Sequence, residues 1–250
     1  GDILRQHGRY SEAKALYEQS LALCQQFDNR DWIVAPIGNL GRLALRQGDL
    51  SSAHEQFSEC VALARASGHQ LSLADWLVRL GECQLYLRNY AAAEANLREM
   101  LQICDEMGHR TAEADARSIL GHLLLELDHM GEAQNELSRC MAINRNEYQR
   151  LQRMGSFARF FRPELADSFT RLGMMLQAKS ENQRAMVAFG IASALGKQID
   201  HIPVPSLFRI AERSKAQAES HLSAHEHRAA FEEGRSMSMD ERFVFVQRVC

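Results

Sequence analysis

The stretch GRLALRQGDLSSAHEQF, residues 41–57, decides the fold of this 250-residue chain. It has a small residue at its start, a polar turn in its middle and an aromatic residue at its end. Nearly the same arrangement returns 40 residues later as GECQLYLRNYAAAEANL, residues 81–97, and again as GHLLLELDHMGEAQNEL, residues 121–137. A fixed spacing of this kind indicates stacked copies of one structural unit, because a single copy cannot bury its apolar face alone.

Four columns of equivalent positions define the unit. A Gly or Ala is needed where two helices cross closely, because a larger side chain would push the backbones apart. An aromatic residue or Leu four positions after the Ala lies on the same helical face, and we expect it to fill the space between neighbouring units. The columns are Gly1, Gly41, Gly81 and Gly121; Ala13, Ala53, Ala93 and Ala133; Tyr17, Phe57, Leu97 and Leu137; and Leu23, Leu63, Ile103 and Ile143. With a polar break between the first two columns, each unit is predicted to be helix, tight turn, helix.

The spacing also predicts the organisation of the chain. A fifth copy, containing Gly173 and Phe189, follows its predecessor after 52 residues instead of 40, which leaves 12 extra residues. The predicted repeat array covers residues 1–200, with units near 1–28 (partial), 29–68, 69–108, 109–144 and 163–200, and an insertion at 145–162. Residues 201–250 are expected to form capping helices. Since the chain begins at the small-residue column, halfway through a first helix, we expect further protein before Gly1.

Three helices are predicted in the C-terminal cap, at about 206–221, 224–234 and 239–248. Ser223 with Glu226, and Ser238 with Glu241, each fit a capping box, in which the Ser oxygen and the Glu carboxylate satisfy free backbone N–H groups. The apolar residues of these helices are expected to cover the end of the array.

The columns resemble the tetratricopeptide repeat, in which a small residue, an Ala and an aromatic residue or Leu recur at these offsets. The common unit of that family has about 34 residues, so a 40-residue unit implies longer helices. Parts of the sequence resemble the C-terminal arrays of large bacterial signal-transduction (STAND) NTPases and LuxR-type regulators. These parts are residues 40–68 and a tail formed by residues 184–200 and 225–242. The resemblance implies an all-α solenoid, a right-handed superhelix of antiparallel helix pairs, together with an upstream NTPase module and an output domain.

Two stretches suggest chemistry at first sight. GIASALGK, residues 190–197, is similar to a phosphate-binding loop, but it has one residue too many between its glycines and lies within a predicted helix, so helix packing is expected. Two histidines four residues apart on one helix can bind a zinc ion together, and His221 and His225, with His227 nearby, have this spacing. The predicted capping box starts a new helix between His221 and His225, so the two do not share one helix face. The spacing of Ser, Cys, His and Asp residues along the chain indicates no catalytic site. We therefore expect a non-enzymatic fragment without cofactor or metal.

Composition restricts the partners and the compartment. The formal net charge of −3 does not indicate nucleic-acid binding. No apolar run approaches the roughly 20 residues that span a bilayer. The six cysteines never form a CxxC pair, and four of them occupy equivalent repeat positions where a small apolar residue fits. Reduced, buried thiols and a cytoplasmic location are therefore expected, without membrane or direct nucleic-acid contacts.

The resemblance also implies a binding groove, since the first helix of each unit lines the concave face in proteins of this class. Its exposed positions, transferred by column, are Arg42, Arg46, Asp75, Glu82, Tyr86, Asp115, His122 and Glu126, followed by Asp167 and Gln177. This acidic centre with arginines at one end suits an extended peptide that carries a basic stretch. The alternative is that these residues are only the polar sides of amphipathic helices.

The insertion is rich in arginine and phenylalanine, which are residue types found in binding hot spots. Tyr148, Leu151 and Met154 continue one helical face beyond the normal end of the unit, and Gly155 is expected to interrupt that helix. The candidate contacts with a neighbouring domain or a second copy are Arg150, Arg153, Phe157, Arg159 and Phe160. The alternative is a spacer whose aromatic residues seal a longer junction.

These patterns together predict a sensor and protein-interaction module that binds a protein or peptide effector, or a small molecule, and biases an upstream NTPase domain. The alternative is a constitutive scaffold or a cochaperone-like adaptor that binds a peptide without switching.

Overall fold

The computed structural model describes residues 1, 4–5, 8–27, 30–155, 163–198 and 203–250. Within these ranges the regular structure is helical, as predicted, and twelve helices follow one another through short turns. They are α1 (Tyr10–Gln26), α2 (Arg30–Gln47), α3 (Leu50–Ser67), α4 (Gln70–Tyr86), α5 (Tyr90–Met107), α6 (Arg110–Glu126), α7 (Met130–Arg153), α8 (Pro163–Ala178), α9 (Asn182–Gln198), α10 (Pro205–Ser220), α11 (Ala224–Ser236) and α12 (Met239–Val249).

The chain divides into two compact units. Unit 1 comprises Gly1–Gly108 with Val204–Ser206, and in it each of the helices α1 to α5 packs against the next. Unit 2 comprises His109–Pro203 with Leu207–Cys250. In unit 2 the pairs α6–α7 and α8–α9 pack internally, α8 contacts both α6 and α7, α11 lies on α9, and α12 lies on α7. Helices joined by turns this short run antiparallel, so the predicted helix pairs are confirmed.

The glycine column (the small column) and the column of aromatic residues and Leu (the large column) contact each other within one helix pair. A Cβ added to Gly41 would lie 2.7 Å from the Phe57 ring, and one added to Gly81 would lie 2.9 Å from Leu97. The expectation that the large residue fills the space between units is therefore only partly right. Phe57 packs first on the glycine of its own unit and then stacks on Trp76 of the following unit, with ring centroids 6.3 Å apart.

The fourth column is less regular than the sequence suggests. Leu23 is 55% exposed, whereas Ile103 is buried. The regular core position lies three residues earlier, where Cys60, Met100 and Cys140 are completely buried. A shared position in the repeat therefore does not give the same burial in every unit.

The turn inside each unit uses one left-handed residue. The positive-φ residues fall in the repeat register at Gly8, Gly48, Arg88, Asp128 and Ser180. At Arg88 the N–H donates to the Leu85 carbonyl, and the next N–H, that of Asn89, donates to the Gln84 carbonyl. This is the Schellman arrangement, which satisfies the last carbonyls of the first helix.

Helix α7 is longer than its counterparts for a local reason. Helices α3 and α5 end at Gly68 and Gly108, both in the left-handed conformation. The equivalent position in the next unit is Tyr148, so that helix continues to Arg153 and the left-handed glycine comes only at Gly155. Residues 145–153 of the predicted insertion are thus part of α7, and the expected interruption at Gly155 is confirmed.

The predicted C-terminal helices are confirmed, with ends within two residues of expectation. Both capping boxes are present, at Ser223 with Glu226 and at Ser238 with Glu241. GIASALGK lies inside α9, and its Gly190 lies so close to α11 that an added Cβ would overlap the Phe231 carbonyl. The prediction of helix packing for this stretch is therefore confirmed.

Candidate functional site

In unit 1 the structure brings two of the predicted groove residues together. The Nη2 of Arg42 on α2 lies 2.8 Å from the Oδ2 of Asp75 on α4. The same guanidinium lies over the Trp76 ring, 4.9 Å from its centroid. The side chains of Arg42 and Asp75 remain 29% and 48% exposed. The first helices of two successive repeats therefore share one accessible ion pair that rests on an aromatic ring.

Glu82 does not occupy the exposed position that the column transfer predicted. It is only 4% exposed, and its Oε1 accepts a hydrogen bond of 3.2 Å from the Tyr86 hydroxyl. The other carboxylate oxygen lies 3.8 Å from the Arg79 guanidinium. The prediction failed because Tyr86, one turn later, bonds to the carboxylate and the shorter acidic side chain stays against the helix. Glu82 therefore positions Tyr86, while Tyr86 and Arg46 are partly exposed.

In unit 2 the predicted groove residues differ in accessibility. Asp115 is partly exposed and Glu126 is exposed, but His122 is completely buried. The Nε2 of His122 lies 3.8 Å from the Oε1 of Glu126. His122 was predicted as a contact residue, and that prediction is wrong in the state described by the structure, because a fully buried ring offers no surface to a partner.

Asp167 and Gln177 lie on α8 and face α10. Gln177 accepts a hydrogen bond of 3.0 Å from the Ser214 hydroxyl, and Asp167 is 8% exposed. Allowing for the 12 extra residues, the pair His122 and Asp167 is the counterpart of Arg42 and Asp75 in the repeat register. These α8 residues were expected in an open groove, but α10 covers this part of the helix.

The sequence analysis missed an ion-pair network around Glu113. This buried carboxylate accepts hydrogen bonds of 2.9 Å from both Arg110 and Arg117, and Arg117 also bonds to Glu136 on α7 at 2.6 Å. Burial raises the pKa of Glu113, but the two arginines outweigh it and the net pKa is lowered. The signal that could have found it is the spacing of three and four residues along one helix face.

The described part of the insertion carries two of the predicted contact residues. Arg150 is exposed and its guanidinium bonds to both carboxylate oxygens of Glu147, at 2.8 and 2.7 Å. Arg153, at the end of α7, is also exposed. Phe157, Arg159 and Phe160 lie outside the described residues.

The cysteines are free thiols, and four of the six are buried. Burial raises the pKa of Cys60 and Cys83 to about 12. The thiol of Cys83 donates to the Leu50 carbonyl at 3.3 Å, and that of Cys60 to the Val34 carbonyl at 3.5 Å. The expected burial is thus confirmed for these positions, and the thiols serve the packing of the helices.

The three histidines considered as metal ligands lie around the start of α11. His221 comes after the end of α10, while His225 and His227 are on α11, so the capping box separates them as expected. Among the described residues no three His, Cys, Asp or Glu side chains are arranged to hold a metal ion. In the same part of the chain, no helix combines the length and apolar composition that a membrane crossing requires.

Comparisons with known proteins agree with the fold. The model of the tetratricopeptide repeat family matches residues 1–66. The crystal structure of BtubC (BKLC) from P. vanneervenii has a similar fold, with a TM-score of 0.59 and 21% sequence identity, over 82% of this chain and 80% of that one. No curated protein matches the chain. The left-handed turns and the small and large columns continue beyond residue 66, so residues 1–66 match the tetratricopeptide repeat and the following helix pairs repeat the same structural pattern.

Proposed function

We propose that this chain is the effector-binding, non-enzymatic part of a larger bacterial signal-transduction NTPase or transcriptional regulator. Tetratricopeptide repeats indicate a protein-interaction module, and helical-repeat folds of this type are generally non-catalytic. The observation that carries the proposal is the accessible surface on the first helices of unit 1. There Arg42, Asp75 and Trp76 form a connected cluster, and Arg46 and Tyr86 extend it along the same two helices.

The chemistry of this surface suits an extended peptide with charged groups. Asp75 keeps about half of its side chain accessible although it pairs with Arg42, so a basic residue of a partner can share its carboxylate. Tyr86 offers a ring whose hydroxyl is already held by Glu82, and a side chain fixed in this way loses little entropy on binding. In unit 2 the accessible acids Asp115 and Glu126 are a separate set of contacts for basic residues.

Switching requires more than binding. An effector shifts the equilibrium between two conformational states of a protein only if it binds one state more tightly than the other. In the proposed mechanism the peptide binds the first helices and alters how the helix pairs pack, which biases the NTPase domain expected in the longer protein. Buried reduced thiols fit a reducing compartment, and we propose a cytoplasmic location.

The first experiment tests peptide binding. Peptides selected from a displayed random library on the immobilised chain are labelled, and their affinities are measured by fluorescence anisotropy. We expect Arg46→Glu and Tyr86→Ala to weaken binding at least about tenfold, the effect of one charge-assisted contact. Arg98→Glu on α5 is the matched control, because Arg98 is exposed and bonds only locally to Glu94. Equal affinity of all four chains would exclude the unit 1 surface.

The second experiment separates a sensor from an adaptor. The nucleotide hydrolysis rate of the longer gene product is measured with and without the selected peptide. A change in rate that Tyr86→Ala abolishes supports the sensor. Tight peptide binding without any change in rate favours the constitutive adaptor and contradicts the switching role.

The exposed arginines of α7 are proposed to contact a neighbouring domain or a second copy of the chain. Arg150→Ala with Arg153→Ala should leave the helix content unchanged and lower self-association, measured by light scattering. A variant that matches the wild type in this assay identifies the segment as a spacer.

A further inference from the structure

Arg242 on α12 is buried without a counter-ion among the described residues. It is only 7% exposed, and its Nη1 donates to the Met239 sulfur at 3.3 Å, which is a weak acceptor. Its Nε is buried and has no hydrogen-bond partner, and no acidic side chain in the described ranges pairs with the guanidinium. Burial lowers the pKa of Arg242, but an arginine keeps its proton in proteins, so the buried charge calls for an anion.

A second arginine lies on the helix that α12 contacts, which is α7. The Tyr148 ring lies 5.6 Å from that of Phe243. Further along the contact, Gln134 donates to the Cys250 carbonyl at 3.3 Å. Residues three or eleven apart lie on one side of a helix. Arg145 comes three residues before Tyr148 and eleven after Gln134, so it is on the face of α7 towards α12.

Both arginines lie at the same end of this helix contact. Arg242 directly precedes Phe243, and Arg145 is one turn before Tyr148, so both are close to the place where the two rings meet. The Nε of Arg145 is also buried without a hydrogen bond. Within the part of the chain that the structure describes, Arg145 belongs to no ion pair. Two cations at this contact therefore lack a carboxylate partner.

The acids nearest in sequence are engaged elsewhere. Glu241 accepts hydrogen bonds of 2.7 and 2.8 Å from the N–H and the hydroxyl of Ser238. Glu147 bonds to Arg150 through both carboxylate oxygens. Asp240 is exposed, and among the described residues no ion pair joins it to either arginine. The positive charge at this end of α12 is thus left for an anion from outside the chain.

We propose that Arg242 and Arg145 bind an oxyanion, the phosphate or carboxylate group of a small ligand. A guanidinium presents N–H donors in a planar fork whose spacing matches two oxygens of either group. The oxyanion would replace the hydration that burial removes from Arg242, which an uncharged ligand cannot do. The site lies in unit 2 and does not rest on the peptide surface proposed for unit 1.

The ligand comparison follows thermal unfolding of the whole chain in sodium phosphate, sodium acetate or sodium chloride at one ionic strength. We expect about 50 mM phosphate or acetate to raise the melting temperature at least about 3 °C above its value in chloride, as a bound ligand does above its Kd. The larger of the two shifts identifies a phosphate or a carboxylate as the preferred group. Equal melting temperatures in all three salts would overturn the proposal.

Three variants separate binding from the general stabilising effect of phosphate, which is excluded from protein surfaces. Arg242→Met and Arg145→Gln should lose most of the oxyanion shift, while Arg248→Gln, at an exposed position of α12, should keep it. In chloride alone Arg242→Met should be at least as stable as the wild type, because it removes a buried unpaired charge. An undiminished shift in Arg145→Gln, or a large loss of stability by Arg242→Met in chloride, would refute the site.

Discussion

The contact between Gly41 and Phe57 can be tested by a double-mutant cycle. A methyl group added at Gly41 would lie 2.7 and 2.9 Å from two carbons of the Phe57 ring, well inside van der Waals contact. Phe57 is completely buried and also stacks on Trp76, so the ring has little room to move away. Gly41→Ala should therefore destabilise the wild type and lose this cost once the ring has been removed.

The magnitudes follow from the two contributions. Overpacking costs about 1–3 kcal/mol, and replacing a helical Gly by Ala returns about 1 kcal/mol, so Gly41→Ala should change the free energy of unfolding by about 0 to −2 kcal/mol. Phe57→Ala should cost about 3–5 kcal/mol. In the Phe57→Ala background, Gly41→Ala should stabilise by about 1 kcal/mol, which leaves a coupling of about 1–3 kcal/mol. The Gln56 Cβ, 3.3 Å from the added methyl, is present in both backgrounds and cancels.

The assay is thermal and urea unfolding of the four chains, followed by circular dichroism. Each kcal/mol corresponds to about 2–4 °C in the melting temperature for a chain of this size. Gly131 on α7 is the matched control, because an added Cβ there meets nothing within 4 Å, so Gly131→Ala should stabilise equally with or without Phe57. If Gly41→Ala has the same effect in both backgrounds, the small and large columns do not touch at this position.

Arg88→Gly should raise the free energy of unfolding by about 0–1.5 kcal/mol in urea titrations, because it removes a left-handed penalty of about 1–2 kcal/mol and adds an unfolded-state entropy cost of about 0.5–1 kcal/mol; a loss of stability would contradict the turn assignment. The lowered pKa of Glu113 stabilises the fold above the unfolded value near 4.3, and this contribution disappears as the pH falls through the lower folded value. Glu113→Gln should therefore lower the urea midpoint at pH 7 and converge with the wild type near pH 2, and a constant difference across that range would refute the linkage. Since the pKa values of Cys60 and Cys83 are about 12, mass spectrometry after alkylation of the folded chain at pH 8 should find both unmodified while the half-buried Cys24 reacts, and labelling of all three at one rate would contradict their burial.

Much of the fold could be predicted because its signals are local or periodic. The glycine, alanine and aromatic columns fix the helix pairs, and the Ser-x-x-Glu pattern places the starts of α11 and α12. The extra length of α7 was also readable, since Gly68 and Gly108 are followed in register by Tyr148. Each of these features depends on a residue type at one position and on its immediate neighbours in the chain.

The accessibility of the site residues could not be predicted in the same way. Transfer by column identifies the helix face of Glu82 and His122, but their burial depends on side chains that differ from unit to unit. Arg42 and Glu82 share a register position, yet the longer Arg42 reaches Asp75 on the next first helix while Glu82 bonds to Tyr86. A cavity in unit 2 lies where the four helices α8 to α11 meet around small residues, and no periodic pattern in the sequence predicts that arrangement.

The close crossing of α9 and α11 has a consequence for how homologues of this chain vary in sequence. An added Cβ at Gly190 would overlap the Phe231 carbonyl, and one at Gly234 would overlap the Val187 carbonyl. Both obstacles are backbone atoms, which no substitution elsewhere can make smaller. Homologues should therefore keep both glycines without correlated change, although the two helices touch there. By contrast, an added Cβ at Gly41 meets the side chain of Phe57. A larger residue at position 41 can therefore be compensated by a smaller one at position 57, and these two positions should covary.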